Sequence, residues 1–123
     1  MINKVANSFR YAFQGIKEGW RNELNFRIHC ICAVGTIILA YLFQFGIVKW
    51  MVLLITIGVV ISLELINSAV ERTVDLVTKE YHPIAKQAKD LAAASVFIFS
   101  LVAVIIGILL FAEPIFEIVI RGE

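Results

Sequence analysis

The sequence predicts an all-α membrane protein in which an N-terminal amphipathic surface helix leads into three transmembrane helices. Three observations predict it. Hydrophobic residues make up 60% of the 123-residue chain and the mean hydropathy is +0.87, whereas soluble domains hold about 45–50% apolar residues. Two charge-free runs are long enough to cross a hydrocarbon core, which takes about 20 residues at 1.5 Å each. No Ser-, Gly- or Pro-rich linker divides the chain, which has only 2 Pro and 7 Gly, so residues 1–123 read as a single membrane-embedded domain. The net charge of +1 offers no basic field of the kind nucleic acid recruits, and no nucleic-acid partner is expected.

Residues 1–22 form the first element. Val5, Phe9, Phe13, Ile16 and Trp20 recur at steps of four, four, three and four, the stripe of a helix with one apolar face. Lys4, Asn7, Gln14, Lys17, Glu18 and Arg21 fill the other faces. A basic helix with aromatic anchors suits a membrane surface, and the same stripe suits packing against the rest of the bundle. The segment contains acids and no short apolar core ahead of a small-residue cleavage site, so no cleavable signal peptide is expected.

The first span is expected at about 28–48, the 21 uncharged residues "IHCICAVGTIILAYLFQFGIV" between Arg27 and Lys49. Cys30 and Cys32 within it point about 200° apart on a helix and cannot bridge. They read as small apolar fillers, since a metal site there would have only His29 to add. The second apolar run, Trp50 to Leu63, has 14 residues and is too short alone. It becomes a span, about 50–70, only if the helix continues through Glu64. The third span is expected at about 91–112, the 22 residues between Asp90 and Glu113.

Lys and Arg in short loops set topology. Lys4, Arg10, Lys17, Arg21 and Arg27 precede the first span, and Arg72, Lys79, Lys86 and Lys89 lie in the 71–90 connection. The turn between the first two spans has Lys49 and the C-terminal tail Arg121. The N-terminus and residues 71–90 are therefore expected in the cytoplasm and the C-terminus outside.

The decisive stretch is "VVISLELINSAVERTVD", residues 59–75. Glu64, Asn67, Glu71 and Asp75 are spaced three, four and four apart, which puts them on one helix face. An ionised carboxylate facing lipid costs a few kcal/mol or more, so the stripe must face protein or a wet crevice. Glu64 and Glu71 stand about 10 Å apart along the axis, two helical turns, a separation that suits two different tasks better than one shared ion. Glu71, followed by Arg72, and Asp75, four residues before Lys79, also read as ordinary helix-end acids. Glu23 in "RNELNFR" and Lys89 with Asp90 in "KQAKD" sit at the entrances of the other spans. Hard oxygen ligands of this kind suit Mg²⁺, which keeps water and phosphate oxygens in its shell, and phosphate in turn wants Lys or Arg.

This constellation points to phosphoryl transfer from a cytoplasmic donor to an acceptor dissolved in lipid. A proton pathway would spread polar groups through the full membrane depth, and the outer halves of the spans are nearly bare of them. A non-enzymatic small membrane oligomer is the alternative of a different class. Neither a G-x-x-x-x-G-K-[ST] loop nor an H-R-D or D-F-G set occurs, so any ATP is held without those cradles.

At "NEL.FR" (22–27), "ELINSAVERTVD" (64–75), "EYH" (80–82) and "AKDLAAA" (88–94) the chain resembles the small bacterial integral-membrane lipid kinases, diacylglycerol kinase and undecaprenol kinase. The resemblance covers nearly the whole chain, and the second motif is its most specific part. It implies a homotrimeric bundle in the bacterial inner membrane, with active sites shared between subunits, and transfer of the γ-phosphate of ATP, with Mg²⁺, to a lipid hydroxyl. By that resemblance Glu64 is the general base, with Asn67 beside it. Glu23 and Glu71 hold the metal on the phosphates. Tyr11, Glu80, Tyr81, His82, Lys89 and Asp90 contact the nucleotide. The wording "YAFQGIKEGWRNELNFRIH" is closer to the undecaprenol kinases of Gram-positive bacteria. Ala92 and Ala93 also stand where the proteobacterial diacylglycerol kinases have Gly and Ser, so undecaprenol is the expected acceptor and diacylglycerol the alternative.

Overall fold

The computed structural model describes residues 1–122, and these form four helices. They are α1 (Ile2–Asn22), α2 (Leu24–Leu42), α3 (Ile47–Val77) and α4 (Pro83–Arg121). The last three are each long and apolar enough to cross a membrane. α3 packs along α4 and α2, and α1 lies against α2 and α3.

Local chemistry sets each break. Glu23 is extended, at φ −114° and ψ 108°, and separates α1 from α2 while its N–H donates to the Gly19 carbonyl at 2.9 Å. α2 ends at Leu42, six residues short of the charge-free run's end at Val48. There Gln44 takes the left-handed conformation (φ 52°) and Gly46 caps α3. An amide side chain tolerates that conformation better than most, so the turn falls inside an apolar run that charge counting reads as continuous. α3 runs to Val77 and α4 begins at Pro83, so the 71–90 connection is mostly helical and only residues 78–82 lie between helices. Charged residues end a lipid-facing run but do not end a helix. Pro83 does set a start, because proline at the first helical position gives up an N–H that has no partner there. The His82 Nδ1 accepts from the Ile84 N–H at 3.2 Å and caps the same end.

The buried residues lie in two stripes. On α2, Phe26, Ala33 and Ala40 are buried at steps of seven, and on α3 Leu53, Thr56, Val60, Glu64 and Ser68 follow at steps of three or four. Small residues on α2 let the backbones approach, as helix pairs in lipid favour. Ala40, Phe45, Leu53 and Leu110 form a core cluster beside the α2–α3 turn. Phe111 stacks against it, 4.9 Å from the Phe45 ring and 6.0 Å from Phe43. Lys49 bonds Glu113 at 2.7 Å across α3 and α4 and closes that end.

Among the described residues only seven hydrophobic side chains are buried, while Phe97, Ile98, Leu101, Val104, Ile105 and Ile108 of α4 are more than half exposed. Exposure on this scale needs lipid or partner chains to cover it. Ala40 is fully buried, so Ala40→Leu is expected to destabilise by about 1–3 kcal/mol through overpacking, seen as a lower midpoint of thermal unfolding in detergent.

Candidate functional site

The buried stripe of α3 ends in chemistry. Leu53, Thr56 and Val60 lead along the helix to Glu64, which is only 2% exposed. From Glu64 the polar positions Asn67, Glu71 and Asp75 continue toward the α3 C-terminus and are half-buried. Asn67 Nδ2 donates to Glu71 Oε1 at 3.3 Å, and its Oδ1 is buried without a partner. An orphaned amide oxygen between two carboxylates is an acceptor with nothing to accept.

Glu23 reaches this region from the α1–α2 break. Arg72 on α3 donates to Glu23 Oε1 at 3.2 Å and stands 3.5 Å from Glu18, which pins the break against α3. Gly19 makes the approach possible. A Cβ there would stand 3.0 Å from Leu65 Cδ2 and 3.3 Å from Phe26 Cδ1. Across from Glu64 on α2 stands an imidazole. His29 Nε2 lies 3.9 Å from Glu64 Oε2.

The remaining expected site residues are placed differently. Lys89 donates to Asp75 Oδ1 at 2.5 Å, part-buried between α3 and α4. Asp75 therefore pairs across helices and not with Lys79, which lies beyond the end of α3. Asp90 pairs with Lys86 one turn earlier on α4. Glu80, Tyr81 and His82 occupy the short α3–α4 connection, exposed, with His82 serving as the α4 cap. Tyr11 is 63% exposed on α1, twelve residues or about 18 Å along the helix before Glu23.

An apolar groove of about 380 Å³ runs between α2, α3 and α4. His29, Cys32 and Thr36 line it from α2, Thr56 and Val60 from α3, and Ser100 from α4. His29 thus both lines the groove and faces Glu64. The sequence reading gave it no role there, although an ionisable residue inside a membrane-spanning run marks a functional position by default.

The donor set bears on metal binding. Among the described residues no three His, Cys, Asp or Glu side chains are grouped so as to hold an ion by themselves. Glu23, Glu71 and the unpaired Asn67 oxygen offer hard oxygen donors only. That set fits Mg²⁺, which typically takes one or two carboxylates and completes its shell with water and phosphate.

A family model described as prokaryotic diacylglycerol kinase matches residues 10–111. The chain belongs to that family. It is accordingly a lipid kinase and a bacterial membrane protein, and its family implies a nucleotide phosphate donor. It is 44% identical over 110 residues to an undecaprenol kinase of Bacillus subtilis, covering 89% of each chain. It is 35% identical to a diacylglycerol kinase of Haemophilus influenzae, over 89% of this chain and 94% of that one. A diacylglycerol kinase of Synechocystis is 40% identical over 92% of this chain and 65% of its own length.

Two outcomes test the site's energetics. Glu64→Gln replaces a buried carboxyl group with a neutral amide of similar volume, so the variant is expected to unfold at or above the wild-type temperature in detergent, as substitutions at strained functional positions commonly do. Gly19→Ile is expected to cost about 1–3 kcal/mol by forcing α1 off Phe26 and Leu65, measured by the same melt.

Proposed function

We propose that the protein transfers the γ-phosphate of ATP to the hydroxyl of undecaprenol at the cytoplasmic face of the bacterial inner membrane, giving undecaprenyl phosphate. The observation that carries this reading is the placement of Glu64. It is a nearly fully buried carboxylate on a membrane-spanning helix, 3.9 Å from a histidine that lines an apolar groove. The alcohol's chain lies in the groove and its hydroxyl stops beside the carboxylate. Likeness to the Bacillus subtilis undecaprenol kinase favours the polyprenol. Diacylglycerol is the second reading, favoured by relatives such as that of Haemophilus influenzae.

Glu64 acts as the general base. As the alcohol oxygen bonds to the γ-phosphorus, its O–H bond breaks and the proton passes to Glu64. The bond from the γ-phosphorus to the bridging oxygen breaks, and ADP leaves with that electron pair. Asn67, one turn away, orients groups in the same crevice through its free amide oxygen. Glu23 and Glu71 would hold Mg²⁺, which when bound neutralises charge on the phosphate oxygens. Lys89, set beside the polar stripe by Asp75, and Asp90 face the nucleotide with Glu80, Tyr81 and His82, and Tyr11 closes on it from α1. The two-turn offset between Glu64 and Glu71 keeps the lipid hydroxyl and the phosphates at different depths.

Residues 1–22 lie on the membrane surface and the whole chain, 1–123, is one domain, its N-terminus cytoplasmic and its C-terminus outside. The distribution of Lys and Arg supports this orientation. The chain works as a homotrimer whose active sites are shared between subunits. The uncovered apolar face of α4 supports it, with Phe97, Ile98 and Ile108 more than 60% exposed.

The test is transfer of label from γ-labelled ATP to undecaprenol and to diacylglycerol in mixed micelles, run side by side. Labelled undecaprenyl phosphate is expected, and transfer to neither alcohol refutes the reading. Glu64→Gln is expected to lower kcat by at least about 100-fold, the least that loss of a general base commonly costs. Glu71→Ala is expected to raise the Mg²⁺ concentration needed for half-activation, and an unchanged metal requirement would remove Glu71 from the metal site.

A further inference from the structure

Glu64 sits where a carboxylate needs a partner. Replacing water around a buried charge demands compensation from the protein, and among the described residues His29 is the only base within ion-pair distance of this carboxylate. Arg72 bonds Glu23, Lys89 bonds Asp75, and Lys86 bonds Asp90. The His29 imidazole stands 3.9 Å from Glu64 Oε2 and can present an N–H to it.

The position of His29 gives this pairing a direction. It stands on α2, and with Cys32 and Thr36, three and seven residues on, it forms the α2 wall of the groove. Val60 and Thr56, one and two turns before Glu64, supply the α3 wall. The imidazole is 27% exposed and the Glu64 side chain 3%, so the imidazole is the more open member of the pair. At 3.9 Å the contact is too long for a hydrogen bond, and catalytic contacts that are long without substrate commonly tighten when it binds.

We propose that His29 is a positioning residue for the transfer reaction, its Nε2 facing Oε2 of Glu64 and holding that carboxylate turned toward the polar end of the apolar groove, where the lipid alcohol presents its hydroxyl. The inference rests on Glu64 being the base. A neutral imidazole with the proton on Nε2 is enough for the role, because that N–H is itself a donor to a carboxylate. The groove then serves to align one hydrocarbon chain, and His29 links chain alignment to base orientation.

The experiment measures kcat and the KM values for lipid alcohol and for Mg·ATP in mixed micelles, on wild type, His29→Leu, His29→Gln and His29→Asn, with Glu64→Gln beside them. His29→Leu is expected to lower kcat by about 100-fold, the scale of a reacting group displaced by 1 Å, with the KM for Mg·ATP unchanged. His29→Gln, whose side-chain amide reaches as far as Nε2, is expected to recover most of that loss, and the shorter His29→Asn little of it. If His29→Leu does not fold, the comparison of Gln with Asn decides alone. A His29→Leu enzyme with wild-type kcat, equal activity in the Gln and Asn variants, or a parallel rise in the KM for Mg·ATP would each overturn the proposal. Activity in Glu64→Gln would instead sink the base assignment. An inactive Glu64→Gln beside a fully active His29→Leu sinks the role of His29 alone.

Discussion

The constraint on which this structure depends is the cost of keeping the Glu64 carboxylate out of water. That cost explains why an imidazole faces the acid of the α3 packing stripe. A soluble fold meets such a group with a network of backbone donors. A chain of three apolar helices has no free backbone to offer, because every interior N–H is spent on its own helix. Compensation must come from side chains on neighbouring helices, and His29 is the side chain placed to provide it.

The two ends of the bundle divide their tasks accordingly. At the α2–α3 turn, Phe45, Leu53, Leu110 and Phe111 pack with aromatic rings in contact, and Lys49 with Glu113 closes the surface. That end is built from contacts that need no ligand. At the other end the groups are charged, half-buried and incompletely paired, as the buried Arg27 Nε and Asn67 Oδ1 show. Those two atoms sit one turn after Glu23 and one turn after Glu64. One end is closed by packing, and the other holds incompletely paired polar groups.

Much of this was legible in the sequence. The step pattern of Glu64, Asn67, Glu71 and Asp75 fixes a shared helix face whatever the tertiary structure, and the apolar stripe from Val5 to Trp20 lies within the single helix α1. Helix ends were less legible, because a charge count locates lipid and not hydrogen bonding. The Gln44 turn is hidden within an apolar run, and α3 and α4 continue into charged sequence. Partners across helices were the least legible. Asp75 with Lys89, Arg72 with Glu23, and Glu64 with His29 each depend on how two helices are rotated against one another, which one-dimensional spacing does not record. His29 did carry a signal of its own, an ionisable ring inside an apolar run.

α3 runs through 31 residues without a break, about 46 Å at the α-helical rise. Glu64 and Glu71 therefore share one stiff rod, and no hinge lies between them to alter their spacing. The helix acts as a gauge. On the proposed roles of Glu64 as base and Glu71 as metal ligand, an acceptor whose hydroxyl rides too shallow or too deep cannot be reached by adjusting one acid alone, since any tilt that brings Glu64 nearer carries Glu71 with it. Selection among membrane alcohols can thus operate on how far the hydroxyl sits from the bilayer surface, independently of the shape of the hydrocarbon that trails behind it.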